Sequence, residues 1–452
     1  MKAGFGRYDI TPKVGCELYG FGVFRNRCSV AVHDILEARV GIFEQDGKKI
    51  AFISCDICTL TANIVTTCRR LIRERHPEFQ DHEIMIHASH THSGPSPQEH
   101  DYGWGAPDPA WVMLLPYRLR EAFTRAWENM QDVTLSQALV PCRQIGLNRV
   151  HDKDCPPLSE VYDPNWEPAM PELTDTVCRV IRIDSVPEGK MIGFMAYFGC
   201  HPVVGYATNH YIHGDFPAVA IHKLMQEFPG STGLFVQGAQ GDVNSAGAGD
   251  HSQTDSLAAL DVIANRFAAA IRNGLQQAEK LEDTSISVIS RQVPFKTKMI
   301  FTPEVIEQIR REESAKLQDP EVDERRREIR LAVVYLRGLT KVEERMKDPK
   351  DIMAELHIVR IGDLEFIGTP FEVMQAIKND VHAVSTARYP MLMSLANGGM
   401  GYAPDNDALA NSQKGYALYA ARYTPLIVGR LPYADIHNEI VHYVKELEKE
   451  LE

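Results

Sequence analysis

Short apolar runs that alternate with helix-like stretches constrain the fold of this chain more than any other feature. Residues 38–44 (ARVGIFE) and 49–55 (KIAFISC) are predicted to be adjacent strands, because the turn sequence QDG separates them. Helical spacing follows over Thr61–Arg75, and Glu83–His87 (EIMIH) is the next predicted strand. This order predicts an α/β fold with a mixed, largely buried β-sheet core flanked by helices.

Further apolar runs, several next to glycine-rich loops, predict strands at Val177–Ile183, Met191–Phe198, Gly233–Val236, Ser285–Val293 and Leu356–Ile361. The segment Thr302–Lys347 differs in character, because charged residues crowd a helical pattern that Thr302 and Pro303 can start. We interpret residues 302–350 as a helical insertion with solvated charged faces, and a partner-binding surface is the alternative. No repeat or flexible linker forces a boundary, so residues 1–452 are predicted to form a single domain.

Composition and charge exclude several classes of protein. Hydrophobic residues make up 44% of the 452 residues, which excludes disorder as the main state. The net charge of −13 argues against binding to nucleic acid or to an anionic membrane, since both require a basic surface. The N-terminal sequence lacks an apolar signal segment, and no run is long enough to span a bilayer. We therefore expect a cytoplasmic protein without stable membrane insertion, and the oligomeric state stays open.

The cysteines fit the same expectation. Their number, nine, is odd, and they are spread along the chain, as is usual in a reducing compartment. Cys55 and Cys58 form a lone CxxC motif without a second pair to complete a zinc ribbon. We therefore predict that these two residues are buried thiols.

Polar residues follow several predicted strands, where α/β enzymes gather functional groups. The first such segment is HASHTHSGP, which begins at His87 directly after EIMI. Residues two apart share a face of an extended segment, so His90 and His92 are predicted to point into one site while His87 faces the other way. Imidazole is a common zinc ligand, and a structural pair of histidines is the alternative.

Three further positions place a polar side chain on a constrained backbone. His201 follows the predicted strand GFMAYF and precedes Pro202. Because proline restricts the backbone, Pro202 can hold His201 rigidly as a metal ligand. Glu372 is expected at the start of a helix (EVMQAIKND), where the helix dipole alone would favour an acid. Tyr402 ends the glycine-rich segment ANGGMGY, and it is either a functional phenol or incidental to a tight loop.

Taken together and in this order, these segments resemble the neutral/alkaline non-lysosomal ceramidases, a family of zinc amidases that cleave the N-acyl bond of ceramide. The similarity begins at AGFGRYDITP, continues through VHDILEARV and FISCDICTL, and is most specific at SHTHSGP. The segments NRV, FGCHP, QGAQGDVN, PFE and ANGGMGY follow, so the resemblance extends over nearly the whole chain.

The resemblance implies a mononuclear zinc (Zn²⁺) site and a surrounding reaction centre. The residues that match the family's zinc ligands are His90, His201, Glu372 and Tyr402. The residues that match groups lining its reaction centre are His92, Arg149 and Tyr416. Asp56 and Asp215 are expected to orient the ligands from behind.

Two departures separate this chain from the family's pattern. The family places a serine, assigned as a nucleophile or a key polar group, after Gly-Asp-Val, whereas here Asn244 follows and Ser245 comes one residue later. An amide cannot replace an alkoxide, so Asn244 is expected to donate a hydrogen bond to the substrate; which of the two replaces the serine stays open. The chain also ends at Glu452, so the family's C-terminal immunoglobulin-like domain is expected to be absent. Both departures weaken the prediction of ceramide as the substrate.

The sequence therefore predicts a zinc-dependent hydrolase of an amide or ester bond in a small N-acyl substrate, using metal-activated water rather than a serine nucleophile. A zinc-dependent isomerase, epimerase or lyase of a sugar-like or polyol substrate is the alternative, because such reactions need no acyl-enzyme. A binding protein without activity is the third hypothesis. The choice of zinc rests on the resemblance, since a mixed His, Glu and Tyr set is borderline in hardness.

Overall fold

The computed structural model describes residues 1–21, 27–99, 104–150, 156–318, 326–411 and 415–451, with the side chains of 326–331 outside that description. Its strands are β1 (Lys2–Asp9), β2 (Ala31–Val32), β3 (Glu37–Gln45), β4 (Lys48–Cys55), β5 (Ile84–Ala88), β6 (Gln131–Pro141), β7 (Gly146–Asn148), β8 (Val177–Ser185), β9 (Met191–Phe198), β10 (Tyr211–Ile212), β11 (Thr232–Gln237), β12 (Val243–Ser245), β13 (Glu279–Lys280), β14 (Ile286–Phe295), β15 (Ile352–Ile361), β16 (Leu364–Gly368), β17 (Glu372–Val373), β18 (Tyr389–Met393) and β19 (Tyr402–Ala403).

Two sheets form the centre of the fold. The larger sheet has the order β11-β9-β8-β6-β1-β3-β4-β5, with β13 paired to β6. It is mixed, because β11 and β9 run parallel, as do β4 and β5, whereas β1 and β3 are antiparallel. The smaller sheet has the order β14-β15-β16-β18, and the short pairs β2/β10, β7/β12 and β17/β19 lie outside both sheets.

Helices flank the sheets. They are α1 (Ala62–Arg75), α2 (Pro109–Glu128), α3 (Leu158–Val161), α4 (Asp215–Glu227), α5 (Gln253–Gln277), α6 (Pro303–Leu317), α7 (Arg326–Met346), α8 (Gln375–Val384), α9 (Asn406–Ala410), α10 (Gly415–Leu418), α11 (Thr424–Ile427) and α12 (Ile436–Leu451). A π-helical turn, Tyr419–Tyr423, joins α10 to α11. Among the described residues, no helix combines the length and the apolar character that a bilayer crossing requires.

The larger sheet is buried on both faces, and this explains its continuous apolar runs. Along β4, Ala51, Ile53 and Cys55 pack with α1 and α2, whereas Ile50 and Phe52 face the smaller sheet. Helices α4 and α5 pack on β8, β9 and β11, and α8 and α12 cover the outer face of the smaller sheet. The core is therefore layered as helices, sheet, sheet and helices.

The predicted α/β fold with a mixed, buried sheet is confirmed. Strands β3 and β4 pair antiparallel on either side of the QDG turn, as predicted. Helix α1 begins after Thr61, whose side chain accepts a hydrogen bond from the backbone N–H of Ile64. The other predicted strands are present as β5, β8, β9, β11, β14 and β15, with bounds shifted by a few residues.

The prediction that a helix begins at Glu372 is wrong. Glu372 and Val373 form β17, which pairs in parallel with Tyr402 and Ala403. The backbone N–H of Glu372 donates to the carbonyl oxygen of Gly401 at 2.9 Å, so this peptide group is committed to a strand. Helix α8 starts only at Gln375. A pairing partner thirty residues away thus overrides the local helical pattern.

The charged insertion is helical where the structure describes it, as α6 and α7, whereas residues 319–325 of the predicted stretch lie outside the described residues. Helix α7 is not solvated all round. Its residues Ala332, Tyr335, Leu339 and Val342 are buried and recur at helical spacing. Of these, Tyr335, Leu339 and Val342 form a small core with residues of α11 and with the start of the insertion.

Candidate metal centre

Separate chain segments bring the predicted ligands together. His90 comes shortly after β5 and His201 shortly after β9, while Glu372 lies in β17 and Tyr402 in β19. The parallel pairing of β17 with β19 places Glu372 opposite Tyr402. The loop at Gly241 passes so close to β17 that a Cβ atom there would lie 2.7 Å from the carbonyl oxygen of Glu372. Only glycine fits at this close approach.

The backbone of His90 is held in an uncommon conformation. Its φ is 75°, in the left-handed region that residues other than glycine rarely adopt. Its N–H donates to the carbonyl oxygen of Ile57 at 2.9 Å, and its ring Nδ1 lies 2.6 Å from the carbonyl oxygen of Cys58. The loop after β4 therefore fixes both the backbone and the ring of His90, a kind of constraint that is common at functional sites.

Two histidine rings present their Nε2 atoms to the same carboxylate oxygen. Nε2 of His90 and Nε2 of His201 each lie 3.3 Å from Oε2 of Glu372. Each Nδ1 contacts a backbone carbonyl, that of Cys58 for His90 and that of Gln240 for His201. Because a carbonyl only accepts, Nδ1 carries the proton, and Nε2 of the neutral ring keeps a lone pair. Oε2 of Glu372 is buried without a hydrogen-bond partner among the described residues. A bound cation would accept an electron pair from each of these three atoms, the two Nε2 atoms and Oε2.

The local charges also favour a cation. Burial raises the pKa of Glu372, but the two histidines outweigh burial and hold it well below its usual value, so the carboxylate is ionised. Burial and the charge of Arg149 lower the pKa of His201 to about 3, so this ring is neutral. Burial lowers the pKa of His90, but Cys58 and Glu372 outweigh it and raise the pKa well above its usual value. The site thus stabilises one positive charge beside Glu372, and a metal ion competes with a proton for that position.

Arg149 connects the hydroxyl of Tyr402 to His201, because its Nη2 atom contacts both. Nη2 of Arg149 lies 2.9 Å from the Tyr402 hydroxyl, 3.2 Å from Nε2 of His201 and 2.8 Å from the carbonyl oxygen of Gly241. Burial raises the pKa of Tyr402 well above its usual value, even though Arg149 acts to lower it. One guanidinium NH₂ group has two protons, so it cannot satisfy all these acceptors at once. Tyr402 and His201 therefore keep capacity for a further positive ligand.

His92 lies beside His90, in agreement with the two-residue spacing. The Nε2 atoms of the two rings are 3.3 Å apart, and the ring of Phe21 contacts His92 with centroids 4.7 Å apart. Burial, followed by the positive charge near His90 and His201, holds the pKa of His92 well below its usual value. His87, by contrast, is fully buried in β5 and does not line the cavity that His92 lines.

Arg149 connects two more of the predicted residues, Asn244 and Tyr416. Oδ1 of Asn244 accepts from Nη1 of Arg149 at 3.2 Å. The Tyr416 hydroxyl donates to the carbonyl oxygen of Gly241 at 2.6 Å and also contacts Arg149. Ser245 is fully buried, its Oγ has no hydrogen-bond partner in the described part of the chain, and it does not line the cavity. Asn244 rather than Ser245 therefore presents its side chain to the cavity, since neighbours in a strand point to opposite faces.

Asp56 and Asp215, which were expected to orient the ligands, bond elsewhere. Asp56 accepts from Nη1 of Arg39 at 2.9 Å and from the backbone N–H of Glu37 at 3.0 Å. Asp215 accepts three backbone N–H groups, those of Val204, Gly205 and Phe216. Among the described residues neither carboxylate contacts a predicted ligand side chain, so the expectation of direct orientation is wrong. The groups that do contact the histidine rings are backbone carbonyls, and a sequence cannot reveal them because every residue has one.

A cavity of about 470 Å³ opens onto three of the predicted ligands, His90, Glu372 and Tyr402. Its surface is rich in aromatic rings, which belong to Tyr19, Phe21, Trp104, Tyr206, Tyr335, Tyr402, Tyr416 and Tyr419. Tyr335 and Tyr419 are not predicted from the sequence. The three-residue spacing from Tyr416 to Tyr419 is a helical signal that could have identified Tyr419. Tyr335 lies within the charged insertion and has no comparable local signal.

Cys58 is another group in this cavity that was not predicted to belong to a site. Cys55 and Cys58 are free and buried, as expected of simple thiols. Cys58 nevertheless lines the cavity, with Sγ 3.6 Å from Nδ1 of His90. Cys58, His90 and His92 offer ligand atoms within 4.8 Å of one another, and so do His90, His201 and Glu372. Both groups contain His90, so they are alternative ways to hold one ion.

Comparison with known proteins identifies the family of this chain. The family profile described as neutral/alkaline non-lysosomal ceramidase, N-terminal, matches residues 1–261. The structure of neutral ceramidase from Pseudomonas aeruginosa is similar with a TM-score of 0.73 and 17% identity, over 100% of this chain and 75% of that chain. A structure described as ceramidase complexed with C2 gives a TM-score of 0.73 and 16% identity over the same shares. At such identities the structural likeness shows the shared fold. Because the matched profile covers more than half of the sequence, this chain belongs to the neutral/alkaline non-lysosomal ceramidase family.

Proposed function

We propose that this chain is a zinc-dependent hydrolase that cleaves an amide or ester bond in a small N-acyl substrate. The observation that carries the proposal is the buried Oε2 of Glu372, which lies 3.3 Å from Nε2 of both His90 and His201. With the phenol of Tyr402, these groups form a nitrogen and oxygen donor set that suits zinc. Membership of a ceramidase family supports an amide as the scissile bond.

The chain's own residues supply the remaining chemistry. Zinc held by the ligands would polarise the substrate carbonyl and lower the pKa of water towards ~7. Arg149 places N–H donors beside the ligands, where they can stabilise negative charge on the substrate oxygen. The Tyr416 hydroxyl donates to the carbonyl oxygen of Gly241, and it can stabilise the same charge when its proton turns from that carbonyl to the substrate. His92, which lines the same cavity, adds an imidazole that can hydrogen-bond to the substrate.

Asn244 determines how the bond is broken. Its side chain lines the cavity and contacts Arg149, at the position where the family carries a serine. A side-chain amide can donate a hydrogen bond to a bound substrate, but it cannot form an acyl-enzyme. Ser245 does not reach the cavity and so does not compensate. Hydrolysis therefore proceeds by direct attack of water, without a covalent intermediate.

A zinc-dependent sugar or polyol isomerase, epimerase or lyase is the second candidate. It is favoured by one observation, the presence of Asn244 in the cavity where a nucleophile would otherwise lie. Such reactions need a metal and acid–base groups but no acyl-enzyme. Incubation of the zinc-loaded protein with N-acyl, sugar-acid and polyol libraries separates the two candidates by product mass. Hydrolysis adds the mass of one water to the products, whereas isomerisation leaves the mass unchanged.

The variant Glu372→Gln tests the metal-dependent step, because it keeps the shape of the side chain and removes its charge. Glu365→Gln is a matched control, since Glu365 is a buried carboxylate that lies in β16 and does not line the cavity. We expect Glu372→Gln to lose bound zinc and to lower kcat/KM at least ~100-fold, while Glu365→Gln keeps both. Full zinc content and full activity in Glu372→Gln would refute the proposal.

A further inference from the structure

Helix α7 of the charged insertion reaches the cavity of the metal centre. Val334 and Tyr335 line the same cavity as His90 and Glu372. The next residue towards the N-terminus, Val333, is 39% exposed and does not line it. The insertion therefore contributes side chains to the site, although it lies far from the predicted ligands in the sequence.

The position of α7 is fixed by close packing against α11 and the π-helical turn. The ring of Tyr335 stacks on that of Tyr423, with centroids 5.1 Å apart and an interplanar angle of 30°. A Cβ atom at Gly338 would lie 1.9 Å from the carbonyl oxygen of Leu426, so only glycine allows the two helices to approach this closely. The π-helical turn carries Tyr419 at its first position, and Tyr419 also lines the cavity. Movement of α7 would thus displace the cavity surface at two places.

The surface that α7 completes is apolar. Besides Val334 and Tyr335, the side chains that surround it in the cavity are Trp104, Tyr419, Ile427 and Val428. The charged residues that line the same cavity, Arg149 and Glu372, belong to the metal centre. A cavity of this kind suits a molecule with a polar reacting bond and an apolar remainder, because burial of apolar surface is favourable.

We infer that α7 is the element that determines which substrates this chain accepts, and that Val334 and Tyr335 contact the apolar acyl group of the substrate. The inference rests on the proposed hydrolase function for the identity of the reacting bond. It goes further in assigning the acyl group to one face of one helix. The volume left by Val334 then limits how large an acyl group can bind while the scissile bond lies at the metal centre.

The test compares two neighbouring substitutions, Val334→Trp and Val333→Trp. The substrates are N-acyl amides that differ only in the acyl group, from acetyl to long-chain acyl. For each protein, kcat/KM is measured by turnover and the dissociation constant by calorimetry, both with zinc content determined. We expect Val334→Trp to lower kcat/KM and affinity for long-chain substrates about 10-fold or more relative to acetyl, because added volume excludes the longer group. Val333→Trp, which points to solvent, should leave that ratio within about twofold of the wild type.

A second variant protects the test against a folding failure. Val334→Ala removes volume instead of adding it, so it does not clash with its neighbours, and we expect it to shift the acyl-length preference towards longer groups without changing zinc content. Equal chain-length ratios in Val334→Trp, Val333→Trp and the wild type would overturn the inference, whichever reaction the protein catalyses. Hydrolysis failing for every substrate, with calorimetry still showing a preference that Val334→Trp changes, would instead contradict the proposed function and leave the role of α7 intact.

Discussion

Two buried groups of charged side chains in this molecule are completed in different ways. In the first, which we call the Arg39 cluster, Arg39 lies at the centre. It donates to Glu37 at 3.1 Å and to Asp56 at 2.9 Å, and Nε2 of His222 lies 2.9 Å from the carboxylate of Glu37. The positive and negative groups of this cluster come from the chain itself. The cluster therefore needs no ligand.

The metal centre lacks this internal balance. Its two histidine Nε2 atoms and Oε2 of Glu372 face one another, and Oε2 is without a hydrogen-bond partner in the described part of the chain, so the charge of Glu372 is balanced by a proton on His90 or by a bound cation. An unpaired buried charge costs several kcal/mol, whereas a paired one contributes little net stability. The contrast indicates that a cluster satisfied by its own chain is part of the fold and needs no ligand, while a cluster that is left incomplete is a candidate site for one. Each prediction below would break or sharpen that contrast.

The largest effect is expected from removal of one histidine in each group. His201→Ala should lower zinc affinity at least ~100-fold and reduce kcat/KM by a similar factor, since it deletes a predicted ligand. His222→Ala, in the Arg39 cluster, should leave zinc affinity unchanged and lower only the free energy of unfolding. Zinc competition with a chromophoric chelator measures the first quantity, and urea unfolding measures the second. Equal zinc affinities in the two variants would remove the distinction between the groups.

The next effect concerns the fold alone. Arg39→Met leaves the buried Asp56 without its cation and removes one of the three positive partners of Glu37, so we expect the free energy of unfolding to fall by about 3–5 kcal/mol. Zinc affinity of the folded protein should not change. Should Arg39→Met fail to fold, Arg39→Lys tests the same point with a smaller loss, because lysine keeps the charge but not the planar donors. A lower zinc affinity in either folded variant would show that the Arg39 cluster and the candidate metal centre are energetically coupled.

Within the metal centre, Arg149 should affect turnover and not metal binding. Arg149→Lys keeps a positive charge but loses the guanidinium that contacts Tyr402 and Tyr416. We expect zinc content to be unchanged and kcat to fall roughly 100-fold, the usual cost of losing one donor to a developing oxyanion. Steady-state kinetics with elemental analysis checks both. Loss of zinc from this variant would assign Arg149 to metal retention instead.

The smallest effect is the pH dependence of the Arg39 cluster. Burial raises the pKa of Glu37, but His222 and Arg39 outweigh burial and lower it from 4.5 to about 2. The stability that this carboxylate contributes is therefore present above about pH 4.5 and is lost as the pH falls towards 2. Burial raises the pKa of Asp56, which acts in the opposite direction. We expect Glu37 to account for about 2 kcal/mol of the stability lost over this range, measured by urea unfolding, and the loss in Glu37→Gln should be smaller by that amount. An identical pH profile of the free energy of unfolding for Glu37→Gln and the wild type would show that Glu37 does not contribute stability through this cluster.

The sheet could be predicted from the sequence because burial on both faces gives its strands nearly continuous apolar runs. Strands β3 and β4, separated by a tight turn, follow directly from such runs. Strand β17 could not be predicted, since its two residues are strand-like only through pairing with β19. The burial of one face of α7 could not be predicted either, because charged residues dominate its local sequence pattern.

The candidate site was predictable because its side chains lie in segments that resemble those of the family. His90, His92, His201 and Asn244 lie within the part of the chain that the family profile matches, whereas Glu372, Tyr402 and Tyr416 lie beyond it. Their proximity to the first group depends on tertiary structure. The carbonyl groups of Cys58 and Gln240, which set the histidine tautomers, are backbone atoms and carry no residue-type signal.

X-ray absorption spectroscopy of the zinc-loaded protein, with zinc stoichiometry, tests the central claim most directly. It distinguishes the nitrogen and oxygen group of His90, His201 and Glu372 from the sulfur-containing group of Cys58, His90 and His92. We predict one zinc ion per chain with only nitrogen and oxygen neighbours at about 2.0–2.2 Å, unchanged by Cys58→Ser and lost in Glu372→Gln. A sulfur neighbour at about 2.3 Å, or a Glu372→Gln variant with the same zinc content and spectrum, would contradict the claim.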